Sequence, residues 1–303
     1  MEKNEDHVAT VLELALKYGL SLNPDSVLIN ESGLDFLACF AEDEGGTPWV
    51  LRLPRRDDVV ESASYERRVL SLVKPRLPVA VPDWKIHTAE LIAYPRLKGI
   101  PAATIDPEAR QYVWEIDEKN LPEAFVDTMA TTLAALHTVG TDEATSEGIR
   151  ILTSTEARTD FREKMEWVKR NYDVSDSLWT RWQRWMADDS YWPTFTTVVH
   201  GDIHPGHLLI GDHGHVTGLI DWTEGEVSDP SIDFQIYYAL FGANGLSELI
   251  DRYERKGGRV WARMAEHIAE RYAAYPVLIA LFAEKTNSDE YRQYAQYMLG
   301  IQG

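Results

Sequence analysis

His200, Gly201, Asp202, His204 and His207 crowd into one short stretch, and Asp221 follows after a second apolar run. Val198-Val199 precedes the stretch and Leu208-Leu209-Ile210 closes it, so it reads as a polar loop between two apolar strands. Leu219-Ile220-Asp221-Trp222 then sets a carboxylate at the end of a further strand. Loops held by strands commonly present charged and imidazole groups for chemistry. Asp202 and Asp221 converge if the strands pair as a hairpin. Carboxylate oxygens suit Mg²⁺, which keeps waters and shares itself with substrate phosphates. A second carboxylate nearby can accept a proton from a hydroxyl.

The surrounding pattern supplies the elements that would hold this loop. Residues 7–18 read as a helix with Val8, Val11, Leu12, Leu14 and Leu16 on its apolar face. Residues 34–41, 48–53 and 91–94 are short apolar runs bounded by turn residues, and Gly45-Gly46-Thr47 marks a hairpin between the first two. Residues 60–73 read as a helix. Phe125, Met129, Leu133 and Leu136 share a helical face, and residues 155–188 read as helical with Trp179, Trp182 and Met186 at packing spacing. Residues 196–222 revert to β character. The chain is helical from Ser231, with Asp229 as a candidate cap, Pro230 after it, and a kink or break expected at Pro276.

The 303 residues suffice for two lobes, and the single cysteine, Cys39, excludes an internal disulfide or a Cys-based zinc site. The net charge of −19 argues against nucleic acid and anionic membranes as partners and suits either solubility or a cationic substrate. No apolar run approaches the roughly 20 residues that span a bilayer. The acidic N-terminus lacks the apolar stretch of a secretory signal, and a cytoplasmic location is expected.

His200-Gly201-Asp202, followed by Ile220-Asp221-Trp222, resembles the catalytic loop and metal-binding motif of antibiotic phosphotransferases and other protein-kinase-like enzymes. The resemblance implies an α+β, bilobal kinase-like fold: a nucleotide-binding lobe over 1–94, a hinge at 95–99, and a mostly helical catalytic and substrate lobe over 100–303. It assigns Asp202 to the substrate hydroxyl proton and His207 and Asp221 to metal. The broad family has Asn where His207 stands. Histidine there resembles the macrolide 2′-phosphotransferase subfamily, although it is a less usual Mg²⁺ ligand. Trp49-Val50-Leu51-Arg52-Leu53-Pro54-Arg55-Arg56 resembles the strand whose cation holds nucleotide phosphates, with Glu66 as its ion-pair partner. Arg52 replaces the usual Lys and can hold phosphate bidentately. Asn30-Glu31-Ser32-Gly33-Leu34-Asp35 resembles the nucleotide-covering loop, with Ser32 at its centre, and Ala93-Tyr94-Pro95-Arg96-Leu97-Lys98-Gly99 the hinge. Further markers are Leu77-Pro78-Val79-Ala80-Val81-Pro82-Asp83-Trp84, Arg181-Trp182-Gln183-Arg184-Trp185 and Gly257-Gly258-Arg259-Val260-Trp261.

The family implies transfer of the γ-phosphoryl group of GTP (or ATP), with Mg²⁺, to the 2′-hydroxyl of a macrolide amino sugar; a monomer is expected, although the sequence leaves the oligomeric state open. Glu224 and Glu226 are candidates to face the cationic amine, and Tyr237, Tyr272 and Tyr275 to line the pocket. Other readings remain open. An aminoglycoside or small amino alcohol could be the acceptor. Arg52 and His207 also fit a non-catalytic kinase-like binder. A two-metal hydrolase would need further His-bearing clusters, and the sequence holds no comparable one.

Overall fold

The computed structural model describes residues 2–31, 33–106, 109 and 111–300. In chain order these form α1 (Glu2–Lys17), β1 (Leu28–Asn30), β2 (Phe36–Glu42), β3 (Pro48–Pro54), α2 (Asp57–Val73), β4 (Ile86–His87), β5 (Ile92–Pro95), β6 (Ile100–Pro101), β7 (Ala103–Ile105) and β8 (Tyr112–Trp114). They continue with α3 (Glu123–His137), α4 (Thr141–Ser146), α5 (Ser154–Asn171), α6 (Asp176–Ala187), β9 (Thr197–Val199), β10 (Leu208–Ile210), β11 (Val216–Leu219) and β12 (Glu226–Ser228). Helices α7 (Gln235–Arg255), α8 (Met264–Ala273), α9 (Tyr275–Thr286) and α10 (Asp289–Met298) complete the chain. The expected α+β class is borne out.

The chain divides into two compact units, one of residues 1–119 with 205–224, the other of 120–204 with 225–303. This division differs from a boundary at 95–99. Pro95 still pairs with Trp49 of β3, and β6 pairs with β10, drawing the β10–β11 hairpin into the first unit (Leu209↔Pro101, Ile210↔Ile100).

In the first unit, β1-β2-β3-β5-β4 form a five-stranded sheet and β11-β10-β6 a three-stranded one. The β2–β3 hairpin pairs Phe36 with Pro54 through Glu42 with Pro48 around the Gly45-Gly46 turn. Alternation along β2 buries Leu37, Cys39 and Ala41 against Val11 and Ala15 of α1 and Leu51 of β3. Gly99 lets the chain pass close to β10: its φ is 105°, and a Cβ there would stand 2.7 Å from the Ile210 carbonyl oxygen.

In the second unit, the stretch predicted as one helix over 155–188 is two, α5 and α6, separated at residues 172–175. Thr153 starts α5 with a capping box: its hydroxyl accepts from the Glu156 N–H, and the Glu156 carboxylate accepts from the Thr153 N–H. Reversal of the chain lays Trp182 and Trp185 of α6 on Phe161 and Met165 of α5, so the tryptophan stripe is core. Pro276 falls in the first turn of α9, where a missing N–H costs nothing, and separates it from α8. No described helix is long and apolar enough to cross a membrane.

Candidate active site

In the second unit, β9 is buried along its length and pairs with β12 (Val199↔Glu226, Thr197↔Ser228), delivering the chain to His200. Gly201 follows with φ 90°, a left-handed conformation that glycine adopts without a Cβ clash. Asp233 holds this turn from below. Its Oδ2 accepts the His200 N–H and its Oδ1 the Gly201 N–H, each at 2.9 Å. The Asp202 N–H donates to His200 Nδ1 at 3.2 Å, and the Asp202 side chain is exposed. Asp233 and His200 thus orient the loop.

Asp233 lies in a 3₁₀ turn, Pro230–Phe234, capped by Asp229, whose side chain accepts the Ser231 N–H. Asp229 also accepts from Arg271 Nη2 (2.6 Å) and faces His267 Nε2 (2.7 Å), all three being buried. Burial opposes the Asp229 charge, but Arg271 and His267 hold the carboxyl well below the usual carboxylate range. His267 itself is pushed below its ordinary value by burial, although Asp229 pulls the other way. Its hydrogen bonds explain why burial wins. Trp185 Nε1–H donates to Nδ1 at 3.1 Å, so a second ring proton would point at another N–H.

In the first unit the loop continues at Pro205, whose carbonyl accepts the Ala103 N–H. Register between β10 and β11 pairs Leu208 with Leu219, and the Ile220 N–H donates to the His207 carbonyl at 3.0 Å. His207 and Asp221 therefore flank the same end of the hairpin, with Nε2 and Oδ2 3.6 Å apart. Asp221 has φ 65°, one of three non-glycine residues in that region among those described, and Thr223 Oγ1 donates to its Oδ1 at 2.8 Å. Backbone strain of this kind is retained where the surroundings fix it, and often at functional sites. At 3.6 Å the pair stands wider than two neighbouring ligands of one divalent cation, and would have to close to share one. Neighbouring ligands of an octahedral Mg²⁺ stand about 3.0 Å apart, for metal–oxygen distances of about 2.1 Å.

The same unit contains the Arg52–Glu66 pair. Arg52 Nη1 donates to both Glu66 oxygens, at 3.0 and 2.9 Å, from β3 to α2. Glu66 is fully buried, and the backbone N–H of Trp222, the residue after Asp221, helps to draw its carboxyl down. Burial pushes the Glu66 carboxyl up. Arg52 draws it down and Asp221 adds to the rise. Burial disfavours the Arg52 charge as well, but Glu66, Tyr94 and Asp221 together outweigh it and hold the guanidinium protonated. The Arg52 guanidinium also covers the Phe36 ring at 4.0 Å. These are buried, mutually oriented groups, not surface charges.

The other sequence candidates are placed as follows. Ser32 lies outside the described residues. The segment around it is tied by Arg55 to the Glu31 carbonyl and by Arg56 to the Leu34 carbonyl and the Asp35 carboxylate. Tyr94 is buried on β5, and burial pushes its hydroxyl up to about 12. The Arg96 N–H donates to the Pro48 carbonyl, its guanidinium lies over Phe40, and Leu97 follows half-buried. Glu224 is exposed. Glu226 is on β12, where burial raises its carboxyl and Arg150, 3.3 Å away, already matches its charge. Tyr237 is buried against Phe241, whereas Tyr272 and Tyr275 are half-buried with ring centroids 6.0 Å apart. The sequence reading missed His137, whose Nε2 lies 3.1 Å from Asp233 Oδ2. Its only signal was an imidazole at the buried end of the Phe125/Met129/Leu133/Leu136 face.

The described geometry has full-length counterparts among known proteins. A protein of Bacillus subtilis strain 168, "Uncharacterized protein YcbJ", is 47% identical over 301 residues, covering 98% of each chain. The solved structure of "Macrolide 2'-phosphotransferase type I" is 42% identical and superposes with a TM-score of 0.90 over 97% of both chains. That of macrolide 2′-phosphotransferase MphH from Brachybacterium faecium is 33% identical, with a TM-score of 0.90 over 98% of this chain and 99% of that one. The resemblance read from the motifs therefore extends over the whole chain and its fold. Residues 26–267, which include both aspartates and the Arg52–Glu66 pair, match the model described as "Phosphotransferase enzyme family", and the chain belongs to that family.

Proposed function

We propose that this protein is a macrolide 2′-phosphotransferase that inactivates its antibiotic substrate. The observation that carries the reading is the full-length similarity to two macrolide 2′-phosphotransferases at 42% and 33% identity. The γ-phosphoryl group of GTP (or ATP) passes to the 2′-hydroxyl of the macrolide amino sugar. A new P–O bond forms at the acceptor oxygen, the β–γ anhydride bond breaks, and the nucleoside diphosphate leaves with the electron pair. Asp202, exposed on its braced loop, accepts the hydroxyl proton. Arg52, held charged by Glu66, attracts the nucleotide phosphates. His207 and Asp221 would hold Mg²⁺, which neutralises phosphate charge when bound.

Tyr94, Arg96 and Leu97, with Ser32, are assigned to the nucleotide. Glu224, Glu226, Tyr237, Tyr272 and Tyr275 are assigned to the cationic, apolar acceptor. A monomer in the cytoplasm, where nucleotide is supplied, belongs to the same proposal. Transfer is measured with purified protein, Mg²⁺ and GTP or ATP, in the presence of erythromycin, kanamycin or no acceptor. Erythromycin-dependent turnover giving a product heavier by one phosphate supports the reading. Kanamycin-dependent turnover moves the acceptor to the aminoglycosides, and no acceptor-dependent turnover rejects the enzymatic role.

A further inference from the structure

Gly257-Gly258-Arg259 closes the C-terminus of α7. The Gly258 N–H bonds back to the Tyr253 carbonyl and the Gly257 N–H to the Glu254 carbonyl, both at 2.9 Å, and Gly257 has φ 95°. That is the hydrogen-bond pattern of a Schellman turn. Gly258 also makes room for a side chain. A Cβ there would stand 2.3 Å from the Tyr253 ring, so the turn lies directly on that ring. Arg259 follows the turn. The Arg259 guanidinium is itself held 3.7 Å over Phe195. Tyr253 is fully buried, edge-on to Phe234.

The Tyr253 hydroxyl lies 2.9 Å from His137 Nδ1. On the far side of the ring, His137 Nε2 faces Asp233 Oδ2 at 3.1 Å, an oxygen that already accepts the His200 N–H. An ionised carboxylate only accepts, so Nε2 carries the ring proton. In the neutral ring Nδ1 is then the acceptor for Tyr253. Without the hydroxyl, Nδ1 is left buried with no donor. The other tautomer would direct a lone pair at Asp233.

We propose that Tyr253, fixed by the Gly257-Gly258 turn, is a positioning residue for the loop that presents Asp202. Its hydroxyl keeps His137 in the tautomer that donates to Asp233, and Asp233 holds the backbone of His200 and Gly201. The importance of that loop for turnover rests on the reading of Asp202 as proton acceptor, but its backbone order can be measured without substrate.

Amide hydrogen exchange of the full chain tests this in Tyr253→Phe, His137→Gln, His137→Ala and the Phe/Gln double variant. Phenylalanine keeps the ring and its packing. Glutamine places an amide nitrogen where Nε2 stands and keeps a donor for Asp233. Tyr253→Phe should speed exchange at His200 and Gly201 about five- to tenfold, the scale of one buried hydrogen bond, with α3 and α7 unchanged. The double variant should exchange no faster than His137→Gln, and His137→Ala faster than both. In the transfer assay kcat should fall by a similar factor while the nucleotide KM is kept. Unchanged loop exchange in Tyr253→Phe, acceleration spread evenly over α3 and α7, or equal rates for His137→Gln and His137→Ala would each overturn the proposal. Absence of macrolide turnover would overturn only the acceptor assignment.

Discussion

Replacing Arg52 by leucine removes the cation from a carboxylate with no solvent access, since the Glu66 side chain is 0% exposed and that of Arg52 13%. Removing one partner of a buried pair costs about 3–5 kcal/mol if the survivor stays ionised. Glu66 has another course, because burial already raises its carboxyl and Arg52 is the largest influence drawing it down. In Arg52→Leu the carboxyl rises further and takes up a proton. Between about 4.3, the unfolded value, and the raised folded value, the native state holds a proton the unfolded chain has released. Stability then falls as pH rises through that window, by up to about 1.4 kcal/mol per unit. Arg52→Leu should be only mildly destabilised near pH 5 and lose about 3 kcal/mol or more relative to wild type by pH 8. Arg52→Leu/Glu66→Leu, with neither charge, should recover most of that loss at pH 8, because apolar replacement of a whole buried pair is often neutral. Urea unfolding by circular dichroism at pH 5, 6, 7 and 8 measures it. A pH-independent difference between Arg52→Leu and wild type, or a double variant as unstable as the single at pH 8, would refute the reasoning.

Asp202→Ala should lower kcat about 10²–10⁴-fold with nucleotide affinity nearly intact, as single-turnover transfer and nucleotide titration would read; retention of a tenth of wild-type kcat removes Asp202 from the role. Asp221→Ala should abolish the Mg²⁺ dependence of nucleotide binding, and an unchanged Mg²⁺ titration rejects the metal assignment. His267, depressed by burial, stays neutral when the unfolded histidine protonates, so stability should fall as pH drops below about 6.5. His267→Gln should flatten that decline by up to about 1.4 kcal/mol per unit, and unfolding midpoints with parallel pH slopes in both proteins would contradict the tautomer assigned to His267.

Local pattern made much of this molecule legible. The β2–β3 hairpin, the α3 face and the break at Pro276 all follow from turn residues and periodicity, which act over a few residues. The two aspartates and the Arg52–Glu66 pair were found because motif spacing survives in one dimension. What the sequence hid depends on long-range contact. Glu226 could be seen as an acidic residue after Asp221, but not that β12 would set it beside Arg150. His137 and Tyr253 are 116 positions apart, and no local pattern announces that they meet. Gly257-Gly258 stood out as a marker, yet its second glycine is explained only by the ring lying against it.

The left-handed backbone at Asp221 bears on how such a protein decays over generations. Asparagine enters this conformation about as readily as aspartate. Conversion of Asp221 to Asn would leave the chain path undisturbed while deleting a negative charge. Buried Asp229, bonded to Arg271 and His267, has no such freedom, since its loss would strand both partners. Selection for a well-folded chain therefore guards Asp229 more closely than Asp221, whose charge is in demand for the metal role proposed above. In a lineage relieved of that demand, Asp221 is where activity would vanish first, leaving an intact, inert protein free to be recruited for something else.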